Sequence, residues 1–153
     1  MKFVLAACLM VLALPAAAQP APVDGADSTR YRVESAVWCS GELRGEPELL
    51  LQPGVPGVFE VHSPDSSWRL SVEVEPPGEA EGAPDALWFK VGIEQQVDGR
   101  WEFLTDTMLG TPLGRPGVIT VVEEGEQESG PETAPLYIEM TASRVEPVAG
   151  PEG

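Results

Sequence analysis

Trp68-Arg69-Leu70-Ser71-Val72-Glu73-Val74-Glu75 is the stretch that decides the fold. Extended chains place successive side chains on opposite faces. Trp68, Leu70, Val72 and Val74 therefore share one face, and Arg69, Ser71, Glu73 and Glu75 share the other. That pattern predicts a strand with one side in a core and the other in water. Near the C-terminus, Leu136, Ile138, Met140 and Ala142 alternate with Tyr137, Glu139 and Thr141 in the same way.

Working outward, further strands are expected over 31–39, 47–52, 57–62, 86–96, 100–107 and 117–122. No apolar stripe of helical period appears among them. Seven to eight short strands in one domain predict an all-β fold, a single antiparallel β-sandwich of immunoglobulin-like type, over residues 29–144. Glycine and proline number 16 each and gather between the apolar runs, as turn residues do. Residues 76–84 and the acidic stretch 125–134 read as loops, and 145–153 as a disordered tail.

One hairpin can be argued to register. Asp98-Gly99 suggests a two-residue turn, but that pairing would set Trp101 and Phe103 on the face of Glu94 and Gln96. A three-residue loop, Val97-Asp98-Gly99, pairs Gln96 with Arg100 and puts Ile93 opposite Phe103. A one-residue slip inverts every side chain, so the burial pattern favours the longer loop, with Gly99 at positive φ in a bulge.

A faint duplication is visible. Pro53-Gly54-Val55-Pro56-Gly57-Val58-Phe59-Glu60-Val61 aligns with Leu113-Gly114-Arg115-Pro116-Gly117-Val118-Ile119-Thr120-Val121 at a constant offset of 60 positions. Each copy is a turn entering a strand. Either two equivalent binding lips or two equivalent edges of one sandwich would produce it, and turn chemistry favours the edges. This signature, after a leucine-rich strand and before an alternating one, resembles a β-sandwich module of bacterial envelope proteins. Such a module stands at the envelope-facing end of antirepressor-type metallopeptidase sensors. The resemblance spans Glu46 to Val121 and implies a sandwich in the bacterial envelope. The chain has no His-Glu-x-x-His helix and one histidine, so no catalytic residue carries over.

The address comes from the N-terminus. Lys2, an uncharged run from Phe3 to Leu14, Pro15 and Ala16-Ala17-Ala18 form a signal peptide cleaved after Ala18. The run is short of the roughly 20 apolar residues of a membrane span. Leu5-Ala6-Ala7-Cys8 has the letters of a lipobox, but only Phe3 to Ala7 precede the cysteine. The mature chain is expected to be periplasmic or secreted, with residues 19–28 a flexible leader.

Cleavage removes Lys2, leaving eight Lys plus Arg against 25 Asp plus Glu, a net charge of 8 − 25 = −17. Such a surface repels nucleic-acid phosphates and anionic headgroups. It suits solubility and, as a sharper alternative, a partner with a basic surface. Cleavage also leaves Cys39 as the one thiol, so no intramolecular disulfide forms and the core must hold the fold. Cys39 is in phase with Tyr31, Val33 and Val37, which places it inside.

Chemistry is thinly represented. The one histidine, His62, ends a strand on the side of Glu60; Ser63, Ser66 and Ser67 lie nearby, but no Gly-x-Ser-x-Gly elbow presents a nucleophile. Zinc wants three or four His or Cys ligands, and the mature chain has two such residues. Glu123-Glu124-Gly125-Glu126-Gln127-Glu128 lacks calcium-loop spacing and reads as a solvated acidic loop. Trp68 and Trp101 are in phase with core residues, whereas Trp38 and Trp88 oppose their strands' apolar sets.

The sequence therefore predicts an exported, acidic binding or scaffolding module of the cell envelope rather than an enzyme. No cofactor, metal, nucleic acid or membrane span is expected. The candidate binding residues are Trp38, Trp88 and His62, and the expected partner is another envelope protein with a basic surface. The alternatives are a small periplasmic enzyme using Cys39 or a carboxylate pair, and an acidic divalent-cation binder.

Overall fold

Trp68, Leu70, Val72 and Val74 are each at most 2% exposed, and the residues between them are half-buried. The alternation thus translates directly into an inner and an outer face. A computed structural model describes residues 29–76, 85–126 and 130–146. The signal-peptide and leader expectations, most of the 76–84 loop and the end of the tail fall outside these residues.

Among the described residues, nine strands form two antiparallel sheets: β1 (Arg30–Cys39), β2 (Glu42–Gly45), β3 (Glu48–Leu51), β4 (Gly57–His62), β5 (Ser67–Glu75), β6 (Ala86–Val97), β7 (Arg100–Pro112), β8 (Gly117–Val121) and β9 (Leu136–Val145). One sheet runs β2-β1-β9-β8, with β3 also on β1, and the other runs β4-β5-β6-β7. Between them lies a single apolar core, built from Tyr31, Val33 and Val37, the β5 and β6 inner faces, and Leu136, Ile138 and Met140. Each fully buried aliphatic or aromatic side chain there contributes about 1.5–3 kcal/mol relative to exposure.

Three sequence expectations need correction. The strand over 47–52 is one half of a broken edge. β2 and β3 both pair with β1, and the chain parts between them at Glu46-Pro47, where Ser35 donates its backbone N–H to the Pro47 carbonyl at 3.0 Å. The Glu42–Gly45 strand has no alternating pattern to announce it. Secondly, β9 extends to Val145, which pairs with Arg30, so the sandwich ends one residue later than expected.

The third correction concerns the β6–β7 hairpin. Val97 pairs with Arg100, so the turn is the two-residue Asp98-Gly99, both at positive φ (49° and 77°). Asp-Gly is a preferred pair for a turn whose two central residues need positive φ, and turn chemistry outweighed the apolar pattern. Trp101 and Phe103 consequently sit on the outer face opposite Gln96 and Glu94. A bulge then restores the inner register. Glu94 pairs with Phe103 and Ile93 with Thr105, leaving Leu104 as the extra residue.

The duplicated segments are the two corners where the chain changes sheets. β3 leads to β4 through Gly54, and β7 leads to β8 through Gly114 (φ 77° and 76°). Gly54 N–H bonds the Val74 carbonyl on β5, and Gly114 N–H bonds the Ala142 carbonyl on β9. Gly57 then pairs with Val72 and Gly117 with Met140. Registers on β1 and β6 complete the relation: Tyr31 faces Leu51 as Leu87 faces Thr111. A pseudo-twofold axis therefore relates β3, β4, β5 and β6 to β7, β8, β9 and β1.

Candidate functional site

The residues singled out from sequence are not brought together. Trp38 lies on the outer face of the β1 sheet, its ring 5.6 Å from that of Tyr137 at 77°, an edge-to-face packing. Trp88 lies on the outer face of the other sheet, where its ring covers Gly110; a Cβ at Gly110 would meet the indole at 3.0 Å. The two tryptophans thus occupy opposite sides of the sandwich and form no common patch. Both are half-buried.

His62 ends the edge strand β4, exposed, with Nδ1 3.0 Å from Ser67 Oγ and Nε2 3.6 Å from Glu60. Cys39, by contrast, is 2% exposed and faces the core from β1. Burial pushes its thiol above the ordinary value, with Arg44 pulling weakly the other way. A buried thiol on one sheet and an outward imidazole on the other make no nucleophile–base pair. The nearby serines tie down a turn: Ser63 Oγ bonds Ser66 Oγ at 3.0 Å, and Trp68 Nε1 donates to Ser66 Oγ. Among the described residues, no group of three or more His, Cys, Asp or Glu side chains is placed to hold a metal ion.

What the sequence did not reveal is which strand forms an open edge. β7 is 13 residues long and, among the described residues, pairs only with β6, so one row of its backbone N–H and C=O groups has no described partner strand. Sheet edges of this kind are templates for another strand, and proteins blunt them with proline, short length, bulges or charge. Pro47 interrupts the β2–β3 edge, and β4 and β8 are only six and five residues long. β7 carries a bulge and two acids, but no proline before Pro112.

The side chains on this edge fit an interaction surface. Thr105 and Thr107 point toward the interior by register, yet they are exposed, because the short β8 does not cover them. An open groove of about 400 Å³ lies between β7 and β8, with Leu104, Thr105 and Thr107 on one wall and Ile119, Val121 and Val122 on the other. Phe103, Leu104 and Met108 are 66%, 46% and 53% exposed.

Charge on this surface has one sign. From Trp101 to Leu109 the strand carries Glu102 and Asp106 and no cation, and Glu123-Glu124 follows the groove residue Val122. Elsewhere on the same sheet two cations, Arg69 and Lys90, are caged by carboxylates. Arg69 bonds Glu60 at 2.9 Å, and Lys90 bonds Glu75 at 2.5 Å with Glu73 at 3.7 Å. The hydrogen bond to Glu75 raises the Lys90 pKa. The sequence signal for the edge was present in Phe103-Leu104, adjacent apolar residues that break alternation as a bulge does.

Comparison with protein-family models, with curated proteins and with solved structures finds no match to this chain.

Proposed function

We propose that the protein is an exported, acidic binding or scaffolding module of the cell envelope, periplasmic or secreted, that recognises an extended basic segment of another envelope protein along β7. The sandwich serves as the rigid frame, in the manner of immunoglobulin-like domains, and the chemistry of recognition lies in one strand edge. The signal-peptide pattern of Met1–Ala18 supports export.

The observation that carries the reading is the long β7 edge, free of proline before Pro112, beside a partly apolar groove and the acids Glu102 and Asp106. A strand added to such an edge gains main-chain hydrogen bonds for affinity and side-chain pockets for selectivity. Leu104, Ile119 and Val122 offer the apolar pocket. Glu102, Asp106 and the acids after β8 would attract lysine or arginine, raising the encounter rate at low salt.

Titration of the mature protein with a ten-residue peptide of alternating valine and lysine tests this. Binding that weakens as salt rises, and that Leu104→Lys abolishes, supports the proposal. Leu104 is exposed and extra to the pairing, so that variant leaves the sheet intact. Equal affinity for an alternating valine–glutamate peptide would refute it.

A further inference from the structure

The pseudo-twofold axis supplies an internal control for the surface at each corner. Leu50, Val55 and Val58 at the β3–β4 corner correspond to Gly110, Arg115 and Val118 at the β7–β8 corner. Arg30, one residue before Tyr31, corresponds to Ala86, one residue before Leu87. Both corners make the same turn: Val55 N–H bonds the Gln52 carbonyl, and Arg115 N–H bonds the Pro112 carbonyl. The turn therefore requires neither an apolar residue at 50 and 55 nor a cation at 30.

Yet the first corner has all three. Leu50, Val55 and Val58 are 55%, 53% and 56% exposed, and with Arg30 they line an open groove of about 410 Å³. Val118 matches Val58, but Leu50 and Val55 are exposed aliphatics that the turn does not need, and such residues mark a contact surface when they cluster. Arg30 is the one charged residue of the lining. Arg32, Arg44, Arg69 and Lys90 are each held by a carboxylate, whereas Arg30, like Arg100, Arg115 and Arg144, makes no ion pair with a described residue, and Arg30 lines this groove.

We infer that this corner is a second site, independent of the β7 edge, that binds the C-terminal residue of an extended peptide. The apolar side chain packs against Leu50, Val55 and Val58, and the terminal carboxylate meets the Arg30 guanidinium. Arginine matches a carboxylate with paired donors, which makes such contacts strong and directional. The groove is open and lies between the edge strands β3 and β4, so an extended backbone gains main-chain partners there. A lipid chain would gain none and would stay half wet.

The test uses the mature protein and the peptide acetyl-Thr-Val-Thr-Val-Thr-Leu, with a free C-terminal carboxylate or as its amide, followed by calorimetry. The acid is expected to bind at least tenfold tighter than the amide. Arg30→Ala, which copies Ala86, should erase that difference, and Leu50→Thr with Val55→Thr should weaken both forms at least tenfold. Leu104→Lys on β7 should change neither. Thermal unfolding of each variant checks the fold, and Val58→Thr alone replaces the double variant if that one melts early. No binding at millimolar acid, equal affinity for acid and amide, or indifference to Arg30→Ala would overturn the proposal. Decanoate competing as well as the peptide acid would overturn the peptide assignment.

Discussion

The Arg69 guanidinium lies 4.1 Å from the centroid of the Trp101 ring, on the outer face of the four-stranded sheet. This contact gives Trp101 a place outside the core and so permits the tight Asp98-Gly99 turn. Without it, an outward tryptophan would favour the slipped register that buries the ring. A double-mutant cycle of Arg69→Ala and Trp101→Ala, followed by urea unfolding, is expected to show coupling of about 0.5–1 kcal/mol. Strictly additive effects would mean the stacking contributes nothing.

Gly57 and Gly117 occupy equivalent corner positions, and each faces a leucine. A Cβ at Gly57 would meet Leu51 Cδ2 at 2.6 Å, and one at Gly117 would meet Leu109 Cδ2 at 2.5 Å. Leu51 is buried, whereas Leu109 is half-buried and so less confined by its neighbours. Gly57→Ala should therefore cost about 1–3 kcal/mol by overpacking, and Gly117→Ala less. Denaturant midpoints compare the two; the reverse order would contradict this account of the corners.

Ser35 is 6% exposed, and its Oγ has no hydrogen-bond partner among the described residues. Its counterpart across the pseudo-twofold axis is Val91, an apolar residue at the same place in the core. A buried hydroxyl without a partner costs about 1–3 kcal/mol. Ser35→Ala should raise the thermal midpoint by a few degrees. A lower midpoint would show that the hydroxyl is satisfied.

Cys39 should stay unreactive toward a thiol reagent until the protein unfolds. Its pKa is raised by burial, so the folded state holds its proton longer than the unfolded state does. The stability linked to this group is complete below the ordinary thiol value of 9.0 and is lost as pH rises above it. The melting temperature should fall between pH 8 and pH 10, and less steeply in Cys39→Ala. A steeper fall in that variant would contradict the assignment.

Much of the framework could be read from residues alone. Trp68 to Val74 and Leu136 to Ala142 alternate because one side of each strand meets oil and the other water, and Cys39 followed the same rule. The corners were legible as a repeated Gly-x-Pro-Gly. The hairpin was not, because two sound arguments conflicted; turn chemistry prevailed, and the contact that accommodates the outward Trp101, with Arg69, joins residues far apart in sequence. The candidate site was largely hidden for a related reason. An edge is a property of strand order, and the exposure of Thr105 and Thr107 depends on how short β8 is. Trp38 and Trp88 were read correctly as outward, but pattern alone could not reveal that they face opposite ways.

The most direct test of the β7 proposal is backbone amide hydrogen exchange, read residue by residue, with and without the alternating valine–lysine peptide. An added strand bonds every second residue of the edge it joins. The account predicts new protection at alternate amides between Trp101 and Leu109 and no change along β4. Uniform exchange along β7 in saturating peptide, or protection confined to another strand, would contradict it.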